Sequence, residues 1–186
     1  MTLKWVDPEP VAVPRALREA IGGHPLVAET LVRRGIRTPS EASAFLDPAF
    51  YEPTDPLEMP GMAEAVARIQ QALNLGERVC VWGDFDVDGQ TATTVLVSVL
   101  RALGGDVIYH IPLRETEFHG MRLPWLAEEL AKGVRLVVTC DTGVDAHEAV
   151  DYANDRGVDV VVTDHHELPE ALPDAYAVVN PHLLPD

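Results

Sequence analysis

Hydrophobic and polar positions change rhythm near residue 60. From about residue 14 onward the pattern is of short helical pieces separated by prolines. The stretch TPSE at 38–41 has the form of a capping box, with Thr38 at the cap, Pro39 in the first helical position and Glu41 reaching back. Ala42, Phe45 and Leu46 then follow at helical spacing. The proline-punctuated run DPAFYEPTDPLEMPG (47–61) reads as a linker over a surface. These features predict a helical lead-in over 1–60 and a second domain over 61–186.

In that second region the pattern is regular. Met62, Ala65, Val66, Ile69 and Leu73 mark one face of a helix that Gly76 ends. RVCVW (78–82) is a strand, 83–89 a loop, and QTATTVLVSVLRAL a helix from about 90 to 103, stopped by Gly104 and Gly105. DVIYHI, RLVVTC, VDVVVT and AYAVVN read as further strands, with PWLAEELAK and HEAVDYANDRG as helices between them. Alternation of this kind, with nearly continuous apolar strands, predicts an α/β fold: a parallel sheet of about five strands flanked by helices, preceded by a small helical N-terminal region. Right-handed crossovers bring every strand's carboxyl end to one rim, where open sheets of this type bind ligands.

That rim collects chemistry. The first strand is followed by Asp84, Asp86 and Asp88, the second by Arg114 and Glu115, the third by Asp141, and the fourth by Asp164, His165 and His166. Carboxylates with imidazoles and without thiolate suit Mn²⁺ or Mg²⁺ better than structural zinc. Carboxylates from separate strands can bridge two ions, and such a pair, about 3.5–4 Å apart, clamps both oxygens of a phosphoester displacement. Taken singly, each residue also has a plainer role: Asp141 fits a turn or cap, His165 and His166 fit a solvated loop, and Arg114 fits a surface ion pair as well as a phosphate clamp. Asp145 reads as the cap of a 146–156 helix, His24 as a turn residue, and His110, His119, His147 and His182 as structural.

Charge and cysteine content narrow the field. Thirty acidic against fourteen basic residues give a formal charge of −16, which counts against nucleic-acid binding unless divalent cations neutralise part of it. No run approaches the roughly 18 apolar residues of a membrane span, and the N-terminus lacks a basic-then-apolar signal. The expected location is cytoplasmic, with no membrane partner. Cys80 and Cys140, each in an apolar strand, read as buried core residues.

The spacing D-x-D-x-D-G at 84–89 imitates a calcium loop, but the twelfth position holds Val95 where that loop needs glutamate, and a strand precedes it. DVDGQT also imitates the start of a haloacid-dehalogenase-type phosphatase, with Asp86 as nucleophile and Asp88 as acid. Gln90 stands at the threonine position there, and no later acidic pair with a preceding lysine follows.

GDFDVDG, DTGVDAHEAV and VTDHHELPEALPDAYAVVNP together resemble the DHH phosphoesterase superfamily, and within it the RecJ-type single-strand-specific exonucleases. LVRRGIRTPSEASAFLDP is similar to the helical lead-in of that branch. Other branches carry a histidine four residues before the first metal-binding aspartate; Trp82 stands there here, and Asp84 supplies an extra acid.

The resemblance implies a metal-dependent phosphodiesterase using Mn²⁺ or Mg²⁺, two ions in the complete protein, on single-stranded DNA from the 5′ end in repair and recombination. It implies Asp84, Asp86 and Asp88 as first-motif acids, with Asp86 and Asp88 as direct ligands. Asp141 would bridge two metals, His165 would be a ligand, His166 would face the scissile phosphate, and Asp164 would orient its neighbours. The family carries a fourth motif with another aspartate beyond the DHH triplet, whereas only 20 residues follow His166. The expectation is therefore a chain ending inside the catalytic domain. Another phosphoesterase of the family, acting on oligonucleotides or cyclic dinucleotides, is the alternative enzyme. A catalytically incompetent fragment or a binding module is the alternative class.

Overall fold

In the computed structural model, residues 4–6 and 8–185 are described, and they fall into two compact units, Met1–Thr54 and Asp55–Asp186. The first unit holds α1 (Arg15–Ile21), α2 (Pro25–Arg33) and α3 (Pro39–Leu46). Proline opens both α2 and α3, where a missing N–H costs nothing. The His24 ring caps α2 by accepting the Leu26 N–H at 3.2 Å. The capping box of α3 is complete: Thr38 Oγ1 accepts from Glu41 N–H at 3.3 Å, and the Glu41 carboxylate accepts from Thr38 N–H at 2.9 Å. Leu17, Leu31, Val32 and Ala42 form the core of this unit. Of the apolar face expected on α3, Ala42 is buried while Phe45 and Leu46 remain 57% and 51% exposed.

The unit boundary falls a few residues before the expected one at 60. Residues Pro56–Glu58 form a 3-10 turn capped by the Asp55 side chain, and Met59 packs on the core of the second unit, so this stretch belongs there. The helix α4 (Met62–Leu75) follows and ends on Gly76, which takes the left-handed conformation at φ 66°.

The second unit is a five-stranded parallel sheet: β1 (Arg78–Trp82), β2 (Asp106–His110), β3 (Val134–Thr139), β4 (Asp159–Thr163) and β5 (Ala177–Val179), in the order β2-β1-β3-β4-β5. The helices α5 (Val87–Ala102), α6 (Leu123–Leu130) and α7 (His147–Asn154) complete it. Side chains alternate along each strand. Val79, Val81, Leu136 and Val138 therefore pack with Ala65 and Ala72 of α4 and Val97 and Leu100 of α5. Cys80, Trp82, Val137 and Val160 pack with Leu126 of α6 and Ala149, Val150 and Ala153 of α7 on the other face. Each fully buried valine or leucine contributes about 1.5–3 kcal/mol, so two covered faces hold the strand ends firmly. Among the described residues, no helix is long and apolar enough to cross a membrane.

Two local expectations are corrected. Helix α5 starts at Val87 rather than near 90, because Asp86 is its cap and Oδ1 accepts the Gly89 N–H at 3.0 Å. Helix α7 has no side-chain cap: Ala146 occupies the cap position, and Asp145 offers only its carbonyl, to His147 N–H at 2.9 Å. Strand order reverses between β1 and β3, and the crevice beyond the carboxyl ends at such a reversal is the usual ligand position.

Candidate metal centre

The carboxyl ends of the central strands are laced together. Thr163 donates its N–H to Thr139 Oγ1 at 3.2 Å and its hydroxyl to the Thr139 carbonyl at 2.6 Å. Cys140 N–H reaches the Trp82 carbonyl at 2.8 Å, Asp141 N–H the Thr163 carbonyl at 3.1 Å, and Asp164 N–H the Val179 carbonyl at 3.0 Å. The chain turns sharply at Asp141, whose φ of 64° is left-handed. Aspartate is among the few residues that tolerate this region, at a cost of about 1–2 kcal/mol.

That turn aims Asp141 at the DHH segment. His165 Nε2 lies 2.9 Å from Asp141 Oδ1. One potential ligand atom each from Asp141, His165 and His166 falls within 4.8 Å of the others. Burial and the nearby Asp86 charge push the Asp141 carboxyl above its ordinary value, against the pull of His165 and His166.

Asp164 behaves differently. Its Oδ1 accepts from His165 N–H at 2.7 Å, His166 N–H at 3.1 Å and His166 Nδ1 at 2.7 Å, and its Oδ2 accepts from Val144 N–H at 3.0 Å. Burial pushes this carboxyl up, but the donors of Val144, His166 and His165 outweigh it and hold Asp164 below the ordinary range. The hydrogen bond to Asp164 in turn raises the His166 ring, opposed by burial and assisted by the Asp164, Asp141 and Asp84 charges.

The first-motif acids stand around this group. Asp84 is 9% exposed, with Oδ1 accepting from Phe85 N–H at 2.8 Å. It lines a cleft of about 320 Å³ with Asp141, Asp164, His166, His119 and Glu167. Asp88, in the first turn of α5, lines an adjoining cleft of about 320 Å³ with Asp141, Asp164 and His165. Asp86 stands close enough to act on the Asp141 charge while capping α5. Among the described residues, the tightly grouped donors are thus Asp141, His165 and His166; Asp86 and Asp88 stand outside that trio. Arg114 lies with its guanidinium carbon 4.8 Å from the Phe85 ring centroid.

Several contributors are not among the expected ligands. Asn180, fully buried, donates to the His166 carbonyl at 2.9 Å and accepts from His182 N–H at 2.9 Å. It stands in the VTDHHELPEALPDAYAVVNP stretch, directly after the apolar run AVV, and the motif reading gives it no role there. Thr139, Thr163 and the Val144 amide position Asp141 and Asp164 through the bonds given above, and His119 enters the cleft from the loop before α6.

The donor set suits a divalent cation. Among the described residues, no lysine or arginine forms an ion pair with Asp84, Asp86, Asp88, Asp141 or Asp164. The like charges therefore lack a lysine or arginine partner and meet only the His165 and His166 rings, and oxygen and imidazole donors match Mn²⁺ or Mg²⁺. The thiol beside this rim, Cys140, is buried 3.3 Å from Thr93 Oγ1; burial raises it, Thr93 lowers it and Asp141 raises it again, leaving it above its ordinary value.

Known proteins align with these features. The single-stranded-DNA-specific exonuclease RecJ of Bacillus subtilis is 40% identical over 170 residues, which is 90% of this chain and 21% of the relative. RecJ of Thermus thermophilus is 37% identical over 177 residues, 95% of this chain and 25% of its own length. The chain thus spans about a fifth to a quarter of these relatives. A crystal structure of exonuclease RecJ bound to manganese matches with a TM-score of 0.67 and 40% identity over 72% of this chain and 34% of its own. The crystal structure of Thermus thermophilus RecJ in complex with Mn²⁺ matches with a TM-score of 0.68 and 34% identity over 95% of this chain and 25% of its own. The model of the DHH family, N-terminal domain, matches residues 78–186, from the first residue of β1 through the DHH segment. With the sheet, the motifs and that match in agreement, this chain belongs to the DHH family.

Proposed function

We propose that this chain carries the metal-binding part of a Mn²⁺- or Mg²⁺-dependent phosphodiesterase, an exonuclease that degrades single-stranded DNA from the 5′ end in repair and recombination, in the cytoplasm. The observation that carries this reading is the convergence of Asp141, His165 and His166 within 4.8 Å, on an acidic rim with no lysine or arginine paired to it among the described residues. RecJ relatives bound to manganese support the choice of ion and of substrate.

Asp86, Asp88, Asp141 and His165 would hold the ions, with His166 inside the same ligand cluster. Divalent ions at such a site supply Lewis-acid stabilisation of a phosphoryl oxygen and a lowered pKa for bound water. The chain's own residues do the rest. Asp141 is aimed by its left-handed backbone, so it reaches His165 without a side-chain search. Asp164 holds His166 through its ring and the His165 and His166 amides, leaving Nε2 of that ring free to face a phosphate. Arg114, over Phe85, offers a planar guanidinium for a second phosphate oxygen.

Calorimetric titration with Mn²⁺, followed by digestion of 5′-labelled single strands and duplexes, tests this. Saturable Mn²⁺ binding and release of the 5′ label from the single strand alone are expected. Absence of saturable binding would sink the enzyme reading and leave a binding module.

A further inference from the structure

Beside the acidic rim lies a second polar cluster, buried except for Lys132. His110 ends β2 with its ring stacked on Trp82, its register partner on β1, at 4.2 Å between centroids and 23° between planes. His110 Nε2 lies 2.7 Å from Glu117 Oε2, and Nδ1 lies 3.3 Å from Glu129 Oε1 on α6. Lys132 Nζ donates to the other Glu129 oxygen at 2.6 Å. Glu117 and Glu129 are only 7% and 6% exposed. A carboxylate at that depth is costly unless it is hydrogen-bonded; Lys132 meets that need for Glu129, and the Nε2–H tautomer of His110 meets it for Glu117.

His110 also reaches the aspartate loop, since its carbonyl accepts the Gly83 N–H at 3.0 Å. Glu117 is the last residue of a turn closed by the Leu113 carbonyl, which accepts from Thr116 N–H at 3.1 Å and Glu117 N–H at 2.8 Å. Arg114 lies inside that turn and rests over Phe85, which stands between Asp84 and Asp86. One histidine therefore joins the loop that bears the three aspartates to the loop that bears Arg114.

We propose that Glu117, held by His110, is a positioning residue: its carboxylate ties the Leu113–Glu117 turn to β2 and so sets the Arg114 guanidinium over Phe85, beside the metal cleft, to meet a phosphate of the substrate. The substrate part rests on the phosphodiesterase reading above. Without this carboxylate the turn keeps its backbone bonds but loses its tie to the sheet, and Arg114 leaves its position. Glutamine at 117 still accepts the His110 N–H.

The test is a double-mutant cycle on the Mn²⁺-loaded protein, with KM and kcat for a 5′-labelled single strand measured separately. Glu117→Ala is expected to raise KM roughly tenfold with little change in kcat. In an Arg114→Ala background it is expected to add nothing, because the two residues act as one unit. Glu117→Gln restores KM to within about threefold of wild type. Equal penalties in both backgrounds would make Glu117 a structural residue only and overturn the proposal.

A second readout needs no turnover. In the metal-free protein the Arg114 Nε–H resonance, shifted by the Phe85 ring current, moves to its random-coil position in Glu117→Ala and stays in Glu117→Gln. An unmoved resonance in Glu117→Ala also overturns the proposal. If the resonance moves as expected but wild type neither binds nor cuts the strand, the phosphodiesterase reading fails while the positioning role stands.

Discussion

His165 Nε2 stands 2.9 Å from Asp141 Oδ1, although the two side chains leave the sheet after different strands. The Asp141 side chain is 8% exposed and the His165 side chain 63%, so the pair has one buried, fixed member and one open to solvent. Asp141 sets the geometry and His165 meets it from outside.

Asp141→Asn separates charge from shape at this position, since asparagine also tolerates a left-handed backbone. Removing the charge relieves the cost of its burial and the repulsion from Asp86 in the metal-free protein, so thermal stability rises. Mn²⁺ affinity falls by more than about tenfold. Differential scanning calorimetry and titration calorimetry on the same samples check both signs.

Gly89→Ala acts on the aspartate loop through backbone contact. A Cβ at Gly89 would lie 2.5 Å from Asp84 N, 2.6 Å from Asp84 O and 2.7 Å from Asp84 C, where nothing flexible can yield. A loss of about 1–3 kcal/mol is expected, together with weaker Mn²⁺ binding as Asp84 and Asp86 are displaced. Urea denaturation with and without Mn²⁺ measures both effects.

Glu41 gives the first unit a pH dependence. The N–H groups of Arg37 and Thr38, with the Thr38 hydroxyl, hold its carboxyl below the ordinary glutamate value. Its contribution is present above the unfolded value, near 4.3, and is lost as pH falls through the lower folded value. Amide protection at Glu41 and Ala42 is expected to weaken on acidification through that window. In Glu41→Gln this pH response disappears.

The two cysteines are expected to be silent toward thiol reagents. Burial, with the Glu129 charge adding and Lys132 opposing, pushes the Cys80 thiol up to about 12, so almost no thiolate exists near pH 8. Both thiols should react with an aromatic disulfide only after denaturation, and fast native labelling would reveal local opening of the sheet.

The α/β architecture was readable because each strand is a short apolar run bounded by glycines or polar loops; β1 was placed at 78–82, where it stands. The family was equally readable, since its motifs span several strand ends and do not depend on one residue. The start of α5 was not, because three alternating aspartates look like a loop until Asp86 is seen to cap the helix. The absence of an Asp145 cap on α7, and the exposure of Phe45 and Leu46, depend on neighbours that no local pattern encodes. At the rim, convergence of Asp141 with the DHH triplet followed from topology. The partition among carboxylates did not: Asp164 is tied up by four donors, three of them from His165 and His166 and one from Val144. Asn180 escaped notice for the same reason, since its bonds reach back to the carbonyl of His166.

The two hydrogen bonds between Thr139 and Thr163 have a consequence for ion capture. They join the strand ends directly beneath Asp141 and Asp164, so the conformational entropy of arranging those carboxylates is lost during folding and not at binding. An ion bound there, as proposed, would meet preorganised oxygen donors.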